Sequence, residues 1–263
     1  MARKLVELIK KTPFYYPLKR SNWANFLFDR KKFEQTKAET KFIRSFLPQN
    51  KKNDLVFDIG ANIGFKTNIF FRLGKKVIAF EPDQTNLIFL RGLFGNVKNI
   101  IIAPIGISSV KGAQTFFIHE KGSGFNTLNP KWKEKLETAD NRWKTTYSFE
   151  GSTTIDTITL DDAIAQFGKP VYIKIDVEGH ELAVVKGLSQ PVHLLSVEAN
   201  LPEFLDETIA IINHLDSLDK DTTYNLTNSD QFMFDKFLSK SEILEFLSST
   251  QLKYLEVYAK TNY

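Results

Sequence analysis

Three short stretches of this chain hold side chains at spacings that chemistry can use. In the first, Asp54–Gly64, the apolar run Leu55–Ile59 carries one acid, Asp58, and is broken at Gly60 and Gly64. In the second, Lys76–Asp83, an apolar run ends in Glu81, about 20 residues past Gly60. In the third, Val171–Glu181, the residues Asp176, Glu178, His180 and Glu181 crowd around Gly179. A glycine-bearing turn exposes backbone N–H groups to a nucleotide-like ligand, and an acid at the next strand tip accepts hydrogen bonds from ribose hydroxyls. Carboxylates grouped with a histidine can orient a hydroxyl or take its proton.

Positioning these residues requires strands that end where the chemistry starts. Leu55–Ile59, Lys76–Phe80 and residues 98–103 read as buried strands, with helices predicted over 65–73 and 84–94, the second capped by Asp83. Gly112–His119 reads as a β excursion, and Lys121–Glu150 as a polar, Trp-bearing insertion on the ligand side or a mobile loop. Alternation resumes with Thr153–Ile158, helix 161–167, strand 171–175, helix 181–188, strand 193–197 and helix 203–217. Strands near 222–227 and 252–259 surround helix 240–248. Strands alternating with helices imply an α/β fold with a parallel sheet. Asp58, Glu81, Asp176 and Glu198 then stand at carboxyl ends of strands, where open α/β sheets bind ligands.

Composition narrows the classes. The 263 residues suffice for one α/β domain, and 42% apolar with 25% charged content is ordinary for a globular protein. The 23 Phe are spread along the chain and imply a well-filled core. With no cysteine, disulfides, thiolate metal sites and a Cys nucleophile are excluded, which fits a reducing compartment. The longest uncharged central run, Asn99–Val110, is too short to span a bilayer, and no signal peptide is recognisable, so a cytoplasmic protein is expected. Residues 1–50 hold 12 Lys/Arg against 4 Asp/Glu, and 51–263 hold 23 against 27. The expected organisation is therefore a basic N-terminal helical extension (1–50), including an amphipathic helix Phe33–Phe46, followed by one catalytic domain (51–263). A basic arm can make weak peripheral contact with a membrane surface, although a solvated helical face is the simpler reading. No nucleic-acid-binding motif accompanies it.

The turn lacks the dinucleotide fingerprint, because positions 62 and 65 are Asn62 and Phe65 rather than glycine. The pattern Asp58-x-Gly60-x-x-x-Gly64 instead resembles the nucleoside loop of class I S-adenosylmethionine-dependent methyltransferases. Five further segments follow in order: Ala79-Phe-Glu-Pro82, Pro104–Gly112, Thr159-Leu-Asp-Asp162, Ile173–Glu181 and Ser196-Val-Glu198. Together, over about residues 54–200, they resemble the FkbM family of methyltransferases. The resemblance implies a Rossmann-like class I methyltransferase fold, with a mostly parallel seven-stranded sheet and helices on both faces. It implies methyl transfer from S-adenosylmethionine to an oxygen, on a sugar or a secondary metabolite. Asp58, Gly60, Asn62 and Gly64 would form the methionine-side loop. Glu81 would hold the ribose, Pro82 and Asp83 would shape the adenosine pocket, and Asp176 would sit near the sulfonium.

Because a sulfonium methyl is already activated, such an enzyme mainly aligns an in-line attack and deprotonates the acceptor. His180, Asp176 and Glu178 are the candidates for the base, with a solvent-facing His180 at a helix start as the simpler alternative. Asp176, Glu178 and Glu198 also offer the oxygen ligands that Mg²⁺ takes, but the site expected here is metal-free. Trp132 and Trp143 in the insertion are candidates to stack on a small-molecule or glycan acceptor, with core or surface packing as the equal alternative. The competing readings are a nucleotide-dependent oxidoreductase on a related sheet and a methyltransferase-like scaffold without turnover.

Overall fold

The computed structural model describes residues 30–48, 54–138 and 144–261. In chain order its strands are β1 (Leu55–Ile59), β2 (Lys76–Phe80), β3 (Ile100–Ala103), β4 (Gly106–Ile107), β5 (Gly112–Ile118), β6 (Gly151–Ile158), β7 (Tyr172–Ile175), β8 (Leu194–Asn200), β9 (Thr223–Thr227) and β10 (Tyr254–Lys260). Seven of them form one sheet in the order β3-β2-β1-β7-β8-β10-β9. Only β10 runs against its neighbours. The class I methyltransferase-like α/β architecture expected from the sequence is therefore the one observed.

The helices are α1 (Arg30–Phe46), α2 (Phe65–Arg72), α3 (Gln84–Phe94), α4 (Pro130–Glu137), α5 (Leu160–Phe167), α6 (Glu181–Lys186), α7 (Leu205–Leu218) and α8 (Lys240–Ser249). Strand alternation splits the apolar side chains between two faces. Phe57, Ile59, Ile78, Phe80, Ile173 and Val197 meet α5, α6, α7 and α8 on one face. Val56, Val77, Ala79 and Tyr172 meet α1, α2 and α3 on the other. Each fully buried Phe, Ile or Leu contributes about 1.5–3 kcal/mol relative to exposure.

Asp83 caps α3 by accepting from the N–H groups of Thr85 and Asn86, as its position implied. Capping boxes of Thr159 with Asp162 and Ser239 with Glu242 start α5 and α8. Each such cap is worth about 1 kcal/mol.

Two expectations change. Thr153–Ile158 belongs to β6, which pairs with β4 and β5 in a separate three-stranded sheet rather than entering the main one. Its outward residues Gly151–Thr154 are exposed, a pattern that a strand buried on both faces cannot tolerate. The insertion is also less irregular than its sequence suggests. Asn129 caps α4 with Pro130 in its first turn, and Trp132 and Leu136 pack with Phe204 in a small core. Trp132 is 3% exposed and therefore presents no face to an acceptor; Trp143 lies outside the described residues.

α1 lies against the sheet rather than beside it. The ring of Phe42 meets Tyr258 at 5.9 Å and Phe232 at 5.0 Å, and Phe46 meets Tyr172 at 5.4 Å. Residues 1–29 of the expected basic extension lie outside the described residues. No described helix is long and apolar enough to cross a membrane.

Candidate functional site

The strand order reverses between β1 and β7, and a cleft opens above their carboxyl ends. Its cavity volume is about 110 Å³. Gly60, Asn62, Glu81, Asp176, Glu178 and His180 line it, together with Pro82 and Asp83. Most of the sequence-predicted site residues thus converge on one cavity.

The first two stretches are tied directly to each other. β1 and β2 pair in parallel, and the N–H groups of Gly60 and Ala61 both donate to the carbonyl of Phe80 (3.1 and 3.0 Å). Asn62, at φ 49°, then points its N–H at Glu81 Oε2 (2.7 Å), while Glu81 Oε1 accepts from Asp83 N–H (2.8 Å). Glu81 is buried, and burial pushes its carboxyl up to about 7, against the lowering effect of those two N–H groups.

Asp58 and Gly64 do not line the cleft. Alternation along β1 turns Asp58 to the α2 face, where its Oδ2 accepts from Thr67 Oγ1 at 2.5 Å and its Oδ1 has no partner. Burial raises its pKa, opposed by the nearby Lys174. Gly64 is required by packing: at φ 83° a β-carbon would stand 2.5 Å from the Phe94 ring and 2.7 Å from Leu90. Both residues shape the loop from behind rather than from the ligand side.

At the third stretch, Glu178 and Gly179 both take positive φ (55° and 85°), so the chain after β7 turns sharply. Glu181 Oε1 braces that turn by accepting from the N–H groups of Val177 (3.1 Å) and Gly179 (3.2 Å). The insertion braces it from outside, because Thr127 Oγ1 donates to the Glu178 carbonyl (2.7 Å) and Asn129 Nδ2 donates to that of Gly179. His180 lines the cleft instead of facing solvent, and its Nε2 lies 3.0 Å from Ser108 Oγ. Burial pushes the imidazole down to about 4, so it is neutral at pH 7.

Beneath this turn the charges are arranged in a chain. Buried Lys174 donates to Asp176 Oδ2 at 2.6 Å. Burial favours a neutral lysine, but the carboxylates of Asp176, Glu256 and Asp58 more than offset it and hold the ammonium well above its ordinary value. For Asp176 burial acts upward, yet Lys174 brings the carboxyl down to about 2. Glu198 is pushed well above the usual carboxylate range by burial and then by the charge of Asp176. One carboxylate oxygen from each of Asp176, Glu178 and Glu198 lies within 4.8 Å of the other two, close enough to share a cation. In this arrangement Lys174 supplies a positive charge to Asp176.

Several lining residues carried no sequence signal. Asn126 Nδ2 donates to Asp83 Oδ2 (2.8 Å), and Gly122 N–H donates to the same oxygen (3.3 Å), so the insertion folds over Asp83. Phe116, Ser123 and Leu128 also join the lining. All but Phe116, which lies on β5, come from the irregular insertion, where neither period nor motif marks a face.

The residues present fit S-adenosylmethionine. Asn86, 2% exposed and lining the cleft, leaves its Oδ1 without a partner and so offers an acceptor to an amine or hydroxyl. Glu81 accepts from the Asn62 and Asp83 N–H groups and from the Asn86 side chain, and a carboxylate, with about four lone-pair sites, has capacity for one more. A ribose hydroxyl can fill that capacity. Ile59, Phe80, Ile105 and Phe116 give the flat apolar walls that a purine ring needs.

Comparison with known proteins gives the same direction. The family model described as the methyltransferase FkbM domain matches residues 58–226. The hexuronic acid methyltransferase AglP of Haloferax volcanii is 30% identical over 169 residues, covering 62% of this chain and 62% of that protein. The methyltransferase sdnD of Sordaria araneosa is 30% identical over 165 residues, covering 52% of this chain and 61% of that one. The chain thus spans less than two thirds of the length of either relative. Among solved structures, the precorrin-6y C5,15-methyltransferase of Geobacter metallireducens aligns over 89% of this chain and 90% of its own, at 9% identity and a TM-score of 0.43.

Proposed function

The chain belongs to the FkbM methyltransferase family, and from that premise we propose that it methylates a hydroxyl oxygen of a sugar. Methyl transfer and S-adenosylmethionine as the donor follow from the family; the oxygen and the sugar are the proposal. The observation that carries it is the joining of the Gly60–Gly64 loop to Glu81 above a cleft whose far wall holds Asp176, Glu178 and His180.

When bound, the donor supplies a methyl on a cationic sulfur; transfer breaks the S–CH₃ bond, forms O–CH₃, leaves the bonding pair on sulfur and frees the hydroxyl proton. The protein's part is to bind, align and accept that proton. Glu81 and Asn86 present acceptors at the adenosine end, and the 60–64 loop fixes the other end through Asn62. The ionised Asp176 gives the methyl-transfer region a negative charge that suits a sulfonium. Neutral His180, its Nε2 3.0 Å from Ser108 Oγ, offers a proton acceptor on the same wall in the tautomer whose Nε2–H donates to Ser108. Glu178 lines the same wall and can orient the hydroxyl.

Calorimetry with S-adenosylmethionine and its demethylated product tests this reading, with Glu81→Ala as the control that weakens both. Binding of NAD(P)H in place of either would overturn it in favour of an oxidoreductase.

A further inference from the structure

Beside the cleft, on the α1–α3 side of the sheet, lies a second hollow of about 330 Å³. Glu39, Phe65, Lys66, Asp230, Tyr254 and Glu256 line it. It adjoins the reacting region through paired strands. Glu256 stands opposite Glu198 in the β8–β10 register, and Glu198 approaches Asp176, which lines the donor cleft. The ammonium of Lys66 feels the charges of Lys174, Glu256, Asp176 and Asp230, so it too stands close to both cavities.

We propose that this hollow is the acceptor site and that it takes a neutral sugar. The proposal rests on the methyltransferase reading and deepens it. Phe65 and Tyr254 keep 36% and 42% of their surface exposed, although both are large aromatic side chains. Aromatic faces beside a rim of carboxylates and a lysine form a surface with an apolar body and polar edges. A pyranose offers the matching features, with C–H faces for the rings and hydroxyls for the rim. Charge then chooses among sugars. Three carboxylates line the hollow; Lys66 is paired with Glu39 and Lys174 faces Glu256 from beneath, so Asp230 at the exposed rim is the excess negative charge. An acidic sugar would bring a further negative charge into this field, whereas a neutral one would not. The size, in the usual range of about 300–1,000 Å³ for small-molecule pockets, suits one or two rings.

The test uses the full chain with methyl glycosides of neutral hexoses and of a hexuronate as probes. Saturation-transfer NMR reads sugar binding without the donor, and a radiolabelled methyl assay reads turnover. The expected result is binding and methylation of at least one neutral glycoside. Phe65→Ala and Tyr254→Ala should each raise the acceptor KM at least tenfold while leaving the donor Kd unchanged. Asp230→Asn, at an exposed position, should improve hexuronate binding several-fold. Preference for the hexuronate in the unaltered chain, or an unchanged acceptor KM in both aromatic variants, would overturn the proposal while donor binding stands. Absence of donor binding would instead overturn the methyltransferase reading, and the NMR contacts would then show directly whether the hollow holds sugar.

Discussion

The carbonyl oxygen of Asp176 occupies the place that a side chain on residue 60 would need: a β-carbon built on Gly60 would stand 1.8 Å from it. The tip of β1 and the tip of β7 therefore close on each other through a missing side chain. The glycine here serves protein–protein approach within the fold, and the ligand space lies above the contact.

This relationship makes Gly60→Ala the most damaging small change in the site. Gly60 sits at φ 80°, so alanine adds backbone strain of about 1–3 kcal/mol to a clash with main-chain atoms that cannot swing aside. The melting temperature should fall by several degrees, and donor affinity should fall more than tenfold. Scanning calorimetry and a binding titration check both, and an unchanged melting temperature would refute the close contact.

With Glu81 as the proposed ribose ligand, donor binding is expected to depend on pH. The Glu81 carboxyl is raised to about 7 by burial, and a donating ribose hydroxyl favours the ionised form. Binding should then release a proton near pH 6–7. Affinity should climb by up to about tenfold per pH unit below the folded pKa and level off above pH 8. Calorimetry in buffers of different ionisation enthalpy measures the proton count. Glu81→Gln should flatten the slope and weaken binding by about 1.5–3 kcal/mol, the scale of hydrogen bonds to a charged group.

Glu181 gives a stability prediction of definite sign. Burial raises its carboxyl to about 7, so between about 4.5 and 7 the folded chain holds a proton that the unfolded chain has lost. This contribution to stability is complete below the unfolded pKa and disappears as pH rises through the folded one. Glutamine at 181 keeps an oxygen for the Val177 and Gly179 N–H groups but carries no charge. Glu181→Gln should therefore gain stability relative to the parent at pH 8, on the order of 1 kcal/mol or more, and little at pH 5. Denaturant titrations at both values decide it; an equal difference at both would mean that charge is not the cause.

The centre of the main sheet was legible because β1, β2, β3 and β7 are short apolar runs that stop at Gly60, Glu81, Pro104 and Asp176, and the helices between strands carry clear caps such as Asp83 and Thr159. The pairing of Gly60 with Glu81 was legible from spacing, since parallel neighbours one crossover apart bring such positions together. Asp58 was harder to read. Its type suggested a ligand contact, but strand period sends it to the face opposite Ile59, under Thr67. The second sheet and the clasp of Asp83 by Asn126 and Gly122 join residues about 40 apart through irregular backbone, which no local pattern encodes. Lys174 was likewise hidden: it reads as an interruption in an apolar strand, and only the fold shows three carboxylates around it.

His180 separates alignment from proton transfer. The imidazole is neutral through the physiological range because burial holds it at about 4, and Ser108 stands 3.0 Å from Nε2. Asp176, held at about 2 by Lys174, is a weaker proton acceptor, and Glu198, raised well above its ordinary range, is protonated already. Among these three groups histidine is the one able to take the acceptor's proton, with Glu178 on the same wall as the other candidate; as the proposed base, its loss should cost about 10²–10⁴ in kcat, the usual share of general base catalysis. His180→Asn should keep donor affinity within about threefold, since the ribose and methionine ends of the site lie on other strands. Ser108→Ala, which frees the ring and also removes the hydroxyl's bond to Gln114 Oε1 (3.4 Å), should lower kcat by a smaller factor and leave the donor Kd alone. In the parent enzyme the acid limb of kcat should fall below pH 5, where the buried imidazole charges, and that limb should be absent in His180→Asn. Single-turnover rates across pH 4–8 read all three, and a kcat unchanged by His180→Asn would remove the histidine from the proton's path.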